Sequence, residues 1–259
     1  MAITRKIFSS LLFFAAFLFV GLMTVKNAQS QELNEKEKAE VRELVRETIL
    51  KQPEIILEAL QLLELKKQAA TKQRVEDVLA TQAKDIFLHP DDPVGGNPNG
   101  DVTLVEFFDY RCGYCKRVHD IVLKLVKEDG NIRYVYKEFP ILGPESIFAA
   151  KAALASTYQD KYTEFSDLLM RNRGQYTKEK VFKIAETVEL DIPQLEQDMT
   201  KYDGAINTIF QRNYALAQQL DITGTPGFII GNTIIRGAAG FDRLKAAVNN
   251  ARALQKKEK

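Results

Sequence analysis

The chain has 259 residues, of which 36 are lysine or arginine and 35 are aspartate or glutamate, and its formal net charge is +1. This balance, with no long lysine or arginine run, excludes the strongly basic proteins that bind nucleic acid through charge. The length is more than most single domains need.

The first 30 residues have the pattern of a secretory signal peptide. Arg5 and Lys6 precede an apolar run over residues 7–25, and residues 28–30 give a small-x-small cleavage pattern. An uncleaved membrane anchor is the alternative, because the apolar run is long enough to span a bilayer. Under either interpretation, the rest of the chain is exported from the cytoplasm. The expected compartment is the periplasm, with attachment to a membrane or to the outer surface as the alternative.

Residues 31–88 are predicted to form a helical region. This region contains no glycine, and no aromatic residue occurs between residues 31 and 86. Its apolar residues recur at spacings of three and four in stripes over residues 41–49, 56–63 and 75–86. The region has no second layer of its own to cover these stripes. It must pack on the rest of its chain or on another copy, and we expect a homo-oligomer.

Residues 89–259 are predicted to form a second domain of the α/β class. Strands are expected over residues 102–110 and 131–139, with a helix between them that starts near residue 112. Two strands joined by a helix in this way are typical of a βαβ unit with parallel strands.

The rest of this domain is predicted to be largely helical. A helical insertion is expected over about residues 144–220, with breaks near Gly174, Pro193 and Gly204. Residues 226–237 predict a hairpin that turns at Gly231 and the following asparagine, and residues 241–254 predict a closing helix.

The chain has two cysteines, Cys112 and Cys115, and they stand three residues apart. A thiol at a helix start should have a lowered pKa, because unpaired N–H groups and the helix dipole favour the thiolate. Cα atoms at this spacing lie about 5 to 6 Å apart, within the range of a disulfide. The outer thiolate would then attack a substrate disulfide, and the inner thiol would resolve the mixed disulfide.

Three other roles of the thiol pair compete with redox exchange. A structural disulfide would close a loop of only four residues and stabilise little. A zinc site would need His89 and His119 as further ligands, although no second cysteine pair exists. Copper(I) on two thiolates is chemically reasonable. Redox exchange is favoured, and His119 receives no functional role.

Two further residues lie near the cysteines in the predicted fold. Glu106 interrupts an apolar run in a central strand; it would have a raised pKa if buried, or it would face water at a strand end. Pro226 precedes a strand after Thr225. A proline there is often an ordinary edge residue, and the sequence alone gives no reason to expect a cis bond.

The motifs VEFFDYRCGYC and TGTPGFIIGN, separated by a long helical insertion, resemble the DsbA family of the thioredoxin superfamily. The resemblance covers about residues 85–254. It is greatest to exported bacterial members with a helical N-terminal extension, a group that includes ScsC-type isomerases and proteins first catalogued as outer-membrane antigens. It implies a thioredoxin fold with a helical insertion, preceded by an α-helical extension.

The resemblance also implies roles for particular residues. Cys112 resembles the nucleophilic thiol and Cys115 the resolving thiol. Glu106 matches the buried acid beneath the site. Pro226 resembles the cis-proline whose loop holds the substrate backbone, with Thr225 directly before it.

The residues between the cysteines depart from the strongly oxidising members, which carry proline and histidine there. Gly113 and Tyr114 take those positions, and we expect Tyr114 at the substrate surface. CGYC with a threonine before the cis-proline resembles disulfide isomerases of the DsbC and ScsC kind. The expected activity is isomerisation or reduction of disulfides in exported proteins, without a cofactor.

Two alternatives to that activity remain. The first is net oxidation of the DsbA type, and in either direction a DsbB- or DsbD-like membrane protein is the expected redox partner. The second comes from another class of protein, a copper(I)-binding or surface interaction protein.

Overall fold

The computed structural model describes residues 32–256. The predicted signal segment, residues 1–30, lies outside the described residues. The chain divides into two compact units, one ending at Glu64 and the other beginning at Leu65. Within residues 32–256, no helix is both long and apolar enough to cross a bilayer.

The described part of the first unit, residues 32–64, is helical, as the composition predicts. Helix α1 (Glu35–Lys51) begins with a capping box, in which the Asn34 side chain accepts from the Glu37 N–H at 3.0 Å and the Glu37 carboxylate accepts from the Asn34 N–H at 2.8 Å. Helix α2 (Glu54–Thr81) starts directly after Pro53. No residue of α1 is buried, and its apolar side chains are exposed.

The second unit contains a five-stranded sheet in the order β1-β3-β2-β4-β5. Strands β2 and β3 are parallel, and the other neighbouring pairs are antiparallel. Helix α4 connects β2 to β3, so the predicted βαβ unit is present. The strands and this helix are β1 (Val94–Gly96), β2 (Val102–Phe108), α4 (Gly113–Asp129), β3 (Ile132–Glu138), β4 (Gly227–Ile230) and β5 (Thr233–Arg236).

Helices cover both faces of the sheet, and the side chains of β2 alternate between the two faces. Leu104 and Phe108 join the larger core cluster, which includes residues of α4 and of the closing helix α10 (Phe241–Gln255). Val105 and Phe107 belong to the other cluster, which includes the end of α9 (Asp203–Gln219). Glu106 therefore points to the α4 face, where the cysteines lie.

The helical insertion is present between β3 and β4, and its first breaks follow the predicted pattern. Residues 172–177 form a non-helical stretch that includes Gly174. Pro193 lies in the first turn of its helix, a position that proline favours, so the break comes just before it. Gly204 lies just inside α9. Besides α9, the insertion contains α5 (Pro144–Ala155), the 3-10 helix Ser156–Gln159, α6 (Tyr162–Arg171), α7 (Lys178–Glu186) and α8 (Ile192–Lys201).

The second unit begins earlier than residue 89, where composition places the boundary. Val78 at the end of α2 and Ile86 in the short helix α3 (Ala83–Phe87) are buried in the core beneath the sheet. Lys137 of β3, itself fully buried, forms an ion pair with Asp92 and donates to the Asp85 carbonyl at 2.6 Å. These contacts hold the segment before residue 93 to the sheet. Composition alone does not reveal them.

Candidate functional site

The turn between β2 and α4 places Cys112 at the start of a helix. Asp109 fixes this turn, because its carboxylate accepts from the Arg111 N–H at 2.7 Å and from the Ser146 hydroxyl at 2.8 Å. The Cys112 N–H donates to the Asp109 carbonyl at 3.0 Å. Cys112 is the N-cap of α4, and its sulfur accepts from the Cys115 N–H at 3.4 Å.

The two thiols, both in the reduced form, have opposite proton affinities. A hydrogen bond from Cys115 is the largest cause that lowers the pKa of Cys112 to about 5, with help from Thr225 and from backbone N–H groups of the helix start. Burial raises the pKa of Cys115, as does its hydrogen bond to Cys112. At neutral pH, Cys112 is therefore the thiolate and Cys115 the protonated thiol.

The loop before β4 faces this thiol pair. The Thr225-Pro226 peptide bond is cis, as the resemblance implies. The Cys112 sulfur lies 3.2 Å from the Thr225 carbonyl oxygen. The Pro226 carbonyl accepts from the Gly237 N–H at 2.8 Å, which ties the loop to the end of β5.

Tyr114 lies at the surface beside this loop, with 56% of the side chain exposed. It borders a cavity of about 460 Å³ together with residues on both sides of the cis bond: Thr223, Gly224, Thr225, Arg236, Gly237 and Ala238. Tyr114 and Thr225, both predicted at the substrate surface, therefore line one opening next to Cys112.

Glu106 is buried beneath the pair, with 3% of its surface exposed, rather than facing water at a strand end. Burial raises its pKa to about 8, although a hydrogen bond from the Tyr134 hydroxyl opposes the shift. Glu106 interacts electrostatically with both cysteines: its charge raises the pKa of Cys115, and the charge of Cys112 raises the pKa of Glu106. The structure thus brings all six predicted site residues together, and their roles stay predictions.

Sequence reasoning missed a second buried acid, Glu138, at the end of β3. Its Oε1 accepts from the hydroxyls of Tyr110 at 2.6 Å and Tyr162 at 2.8 Å, while Oε2 has no partner among the described residues. Burial raises the pKa of Glu138 to about 8. The sequence gives no local signal for it, because β3 also carries the charged residues Arg133 and Lys137.

The residues of the zinc alternative are not brought together. His119 is buried on α4 and its Nε2 lies 2.7 Å from the Asp167 carboxylate, so it joins α4 to α6. His89 lies beside Arg212 instead. Within residues 32–256, no three His, Cys, Asp or Glu side chains form a metal-ligand group.

Comparison with known proteins gives two family matches. The thioredoxin family model matches residues 88–250, and the model of the N-terminal domain of copper resistance protein ScsC matches residues 37–70. One curated relative is the Na(+)/H(+) antiporter NhaA 1 of Salinispora arenicola, 30% identical over 169 residues that cover 64% of this chain and 26% of the antiporter. The chain spans about a quarter of the length of that relative.

Two solved structures extend the comparison. A thioredoxin-like oxidoreductase from Silicibacter pomeroyi is 44% identical, with a TM-score of 0.63 over 66% of this chain and 97% of that chain. ScsC of Proteus mirabilis in a transitional conformation is 28% identical, with a TM-score of 0.60 over 86% of this chain and 98% of that chain. Together with the cysteine turn and the facing cis-proline loop, these matches show that the chain belongs to the thioredoxin family, in its DsbA-like and ScsC-like group.

Proposed function

We propose that the protein catalyses thiol–disulfide exchange on exported proteins through Cys112 and Cys115. One observation carries the proposal. Cys112 has a pKa of about 5 at a helix start and lies against the cis-proline loop, while Cys115 is buried one turn further in. Cys112 has 6% of its surface exposed and Cys115 none. A thiolate at the protein surface edge, backed by a fully buried protonated thiol, is the arrangement that disulfide exchange requires.

The first step is attack by the Cys112 thiolate on one sulfur of a client disulfide. The client S–S bond breaks, a mixed disulfide forms on Cys112, and the second client sulfur leaves as a thiolate that takes a proton from water. Thr225 and Pro226 line the loop beside this sulfur, and Tyr114 lies across the opening. We assign these three residues to binding the client backbone around the attacked bond.

The second step resolves the mixed disulfide. Cys115 must lose its proton before its sulfur attacks Cys112, and Glu106 is the buried base whose charge acts on it. The client leaves with two new thiols, and the pair becomes a disulfide, so the client gains the two electrons that the pair loses. With a pKa of about 8, Glu106 holds or releases this proton close to neutral pH.

We favour isomerisation or reduction over net oxidation. Tyr114 replaces the cationic donor that strongly oxidising relatives carry between their cysteines, so the Cys112 thiolate has one stabilising contact fewer. Net oxidation would run the same steps in reverse. Either direction needs a membrane redox partner, of the DsbD kind for reduction or the DsbB kind for oxidation.

We place the protein in the periplasm. A structural relative from Salmonella enterica is described as a periplasmic thioredoxin-like protein, and residues 1–30 have the signal-peptide pattern. Attachment to a membrane or to the outer surface is the alternative.

We further propose that residues 31–64 hold several copies of the chain together. The apolar side chains of this unit are exposed, with Leu44 at 63% and Leu50 at 69%. Covering one leucine fully is worth about 1.5 to 3 kcal/mol, so a few such contacts per copy suffice for association. An oligomer would present several thiol pairs to one misfolded client, and this arrangement favours isomerisation.

The activity is tested by reduction of insulin and by reactivation of scrambled ribonuclease. We expect Cys112→Ala to abolish both activities, and a retained activity would contradict the proposal. A chain shortened to begin at Leu65 keeps the buried Val78 and Ile86. It should be monomeric by light scattering, still reduce insulin, and reactivate scrambled ribonuclease poorly. A shortened chain with the full-length assembly would refute the role of residues 31–64.

A copper(I) carrier is the second candidate function. Two reduced cysteines lie side by side, and residues 37–70 match a domain described for a copper resistance protein. Two thiolates are suitable ligands for copper(I). Metal analysis of the reduced protein separates the candidates, since a carrier would retain about one copper ion per chain after dialysis and the enzyme would retain none.

A further inference from the structure

A second cavity lies beside the thiol pair. Its volume is about 710 Å³, and Gly113, the residue after Cys112, forms part of its wall. It shares no residue with the cavity between Tyr114 and the cis-proline loop. Four of its lining residues are cationic and one is acidic: Arg111, Lys116, Arg117 and Arg173, with Glu145. We call these residues the cationic cleft.

Only one of these cations is paired within the cleft. Arg111 Nε lies 3.4 Å from the Glu145 carboxylate. Lys116 donates to neutral oxygens, the Asn172 carbonyl and the Tyr176 hydroxyl, the latter at 2.9 Å. Its ammonium therefore has no carboxylate partner among residues 32–256.

Arg117 and Arg173 are both exposed, and neither has a carboxylate partner in the described part of the chain. Arg117 lies over the ring of Tyr114, 5.0 Å from its centre. Arg173 is close enough to Lys116 to lower its pKa, after the larger effect of burial. Asp109 and Cys112 act on Lys116 from a distance and raise its pKa, opposing the effects of burial and of Arg173. Three like charges thus share one wall without an ion-pair partner among the described residues, an arrangement that a bound anion would stabilise.

The cleft is well placed to recognise a client. Gly113 directly follows Cys112 and belongs both to the cleft wall and to the helix start. A client chain held at the cis-proline loop on one side of Cys112 reaches the cleft where it leaves on the other side. Carboxylates are the anions that peptides carry, and arginine pairs with them through two parallel hydrogen bonds. A carboxylate in the client chain lies at a fixed distance from the client cysteine, whereas a free phosphate does not. A client carboxylate is therefore the anion that this position favours.

We propose that the cationic cleft binds a carboxylate of the client chain, so that the protein prefers disulfides whose flanking residues are aspartate or glutamate. This inference rests on the proposed function, because it names the client class of the same thiol pair. The exchange chemistry is unchanged, and the cleft raises the rate at which the right disulfide reaches Cys112.

The test uses three peptide disulfides of the same length, in which the cysteine is flanked by glutamate, glutamine or lysine. Stopped-flow measurement gives the rate at which the reduced full-length protein cleaves each one. Each rate is divided by the rate with dithiothreitol, which removes the intrinsic reactivity of the peptide. We expect the glutamate peptide to react about fivefold faster than the glutamine peptide at low salt, the combined effect of two exposed ion pairs. The ratio should approach one at about 1 M salt.

The variant Arg117→Gln/Arg173→Gln should lower the glutamate-to-glutamine ratio to about one, and Arg117→Lys/Arg173→Lys should restore most of it. Arg243→Gln is the matched control, because Arg243 is exposed on α10 and does not line the cleft. Its ratio should stay at about five. Equal rates for all three peptides with the native protein would overturn the inference, as would a preference that survives the glutamine variant.

Oxidised glutathione, which also carries carboxylates, is compared with its ethyl ester to separate a small disulfide from a client chain. A preference for glutathione without a preference for the glutamate peptide would overturn the assignment to client proteins. Failure of the proposed function looks different, because none of the three peptides would then be cleaved.

Discussion

Replacing Glu106 with glutamine tests directly whether Glu106 is the base that takes the proton of Cys115. Glutamine keeps the shape of the side chain and the acceptor for the Tyr134 hydroxyl, but it cannot ionise. In the folded protein the pKa of Glu106 is about 8, against an ordinary value of 4.5, and burial is the main cause. The substitution should therefore change both stability and the resolving step, each with its own pH dependence.

The stability effect follows from the direction of the shift. Because the folded-state pKa is raised, the contribution of Glu106 is fully present below about pH 4.5 and is lost as the pH rises through about 8. A shift of this size corresponds to about 5 kcal/mol at most, since one pKa unit is worth about 1.4 kcal/mol. Urea unfolding of the reduced protein between pH 5 and 9 measures this contribution. The stability advantage of the Glu106→Gln protein over the wild type should grow by about 4 kcal/mol between pH 5 and pH 9, with most of the growth below pH 8.

The kinetic effect concerns the proton of Cys115. Loss of a general base should slow resolution of a mixed disulfide about 100-fold and remove its rise with pH near 8. Glu138→Gln is the matched control, because Glu138 is equally buried with a pKa of about 8, but its hydrogen-bond partners are Tyr110 and Tyr162. The Glu138→Gln protein should show the same pH-dependent gain in stability, and the rate at which it resolves the mixed disulfide should stay nearly unchanged. A stability difference that does not vary with pH, or an equal slowing by both variants, would refute the reasoning.

Three further predictions follow from the described contacts. Cys112 should be the rapidly alkylated thiol of the reduced protein, with a rate that rises around pH 5; mass spectrometry that finds Cys115 labelled first would reverse the assigned roles. The redox potential measured against glutathione should fall between about −270 mV for thioredoxin and about −120 mV for DsbA, and a value as oxidising as DsbA would contradict the weaker stabilisation expected with Tyr114. Asp92→Asn should lower the free energy of unfolding by about 3 kcal/mol, because Lys137 loses its buried counter-ion; a change below about 1 kcal/mol would mean that Arg212 and Asp92 do not hold the segment before residue 93.

Local patterns in the sequence predicted most of the second unit. The apolar run of β2, the glycine and asparagine turn of the hairpin, and the cysteine spacing all depend on neighbouring residues, and the structure has them where expected. The cis bond at Pro226 was expected only from the family resemblance, because proline alone predicts a trans bond.

Contacts between distant segments were beyond the sequence. The burial of Glu106 against Tyr134 depends on the register of β2 and β3, which fixes the face that each residue shares. The cationic cleft combines residues of α4 with Arg173 from the loop after α6. The packing of α2 beneath the sheet was missed for the same reason, since an apolar stripe predicts that it is covered without predicting the surface that covers it.

In the proposed mechanism Cys112 attacks a client disulfide and Cys115 resolves it. Replacing Cys115 with alanine removes the second step and should trap the first product. Mixed with an oxidised model peptide, the reduced Cys115→Ala protein should accumulate a mixed disulfide on Cys112, seen by mass spectrometry and released by dithiothreitol. The Cys112→Ala protein should form almost none. No adduct on Cys112, or an equal adduct on Cys115 in the Cys112→Ala protein, would contradict these assigned roles.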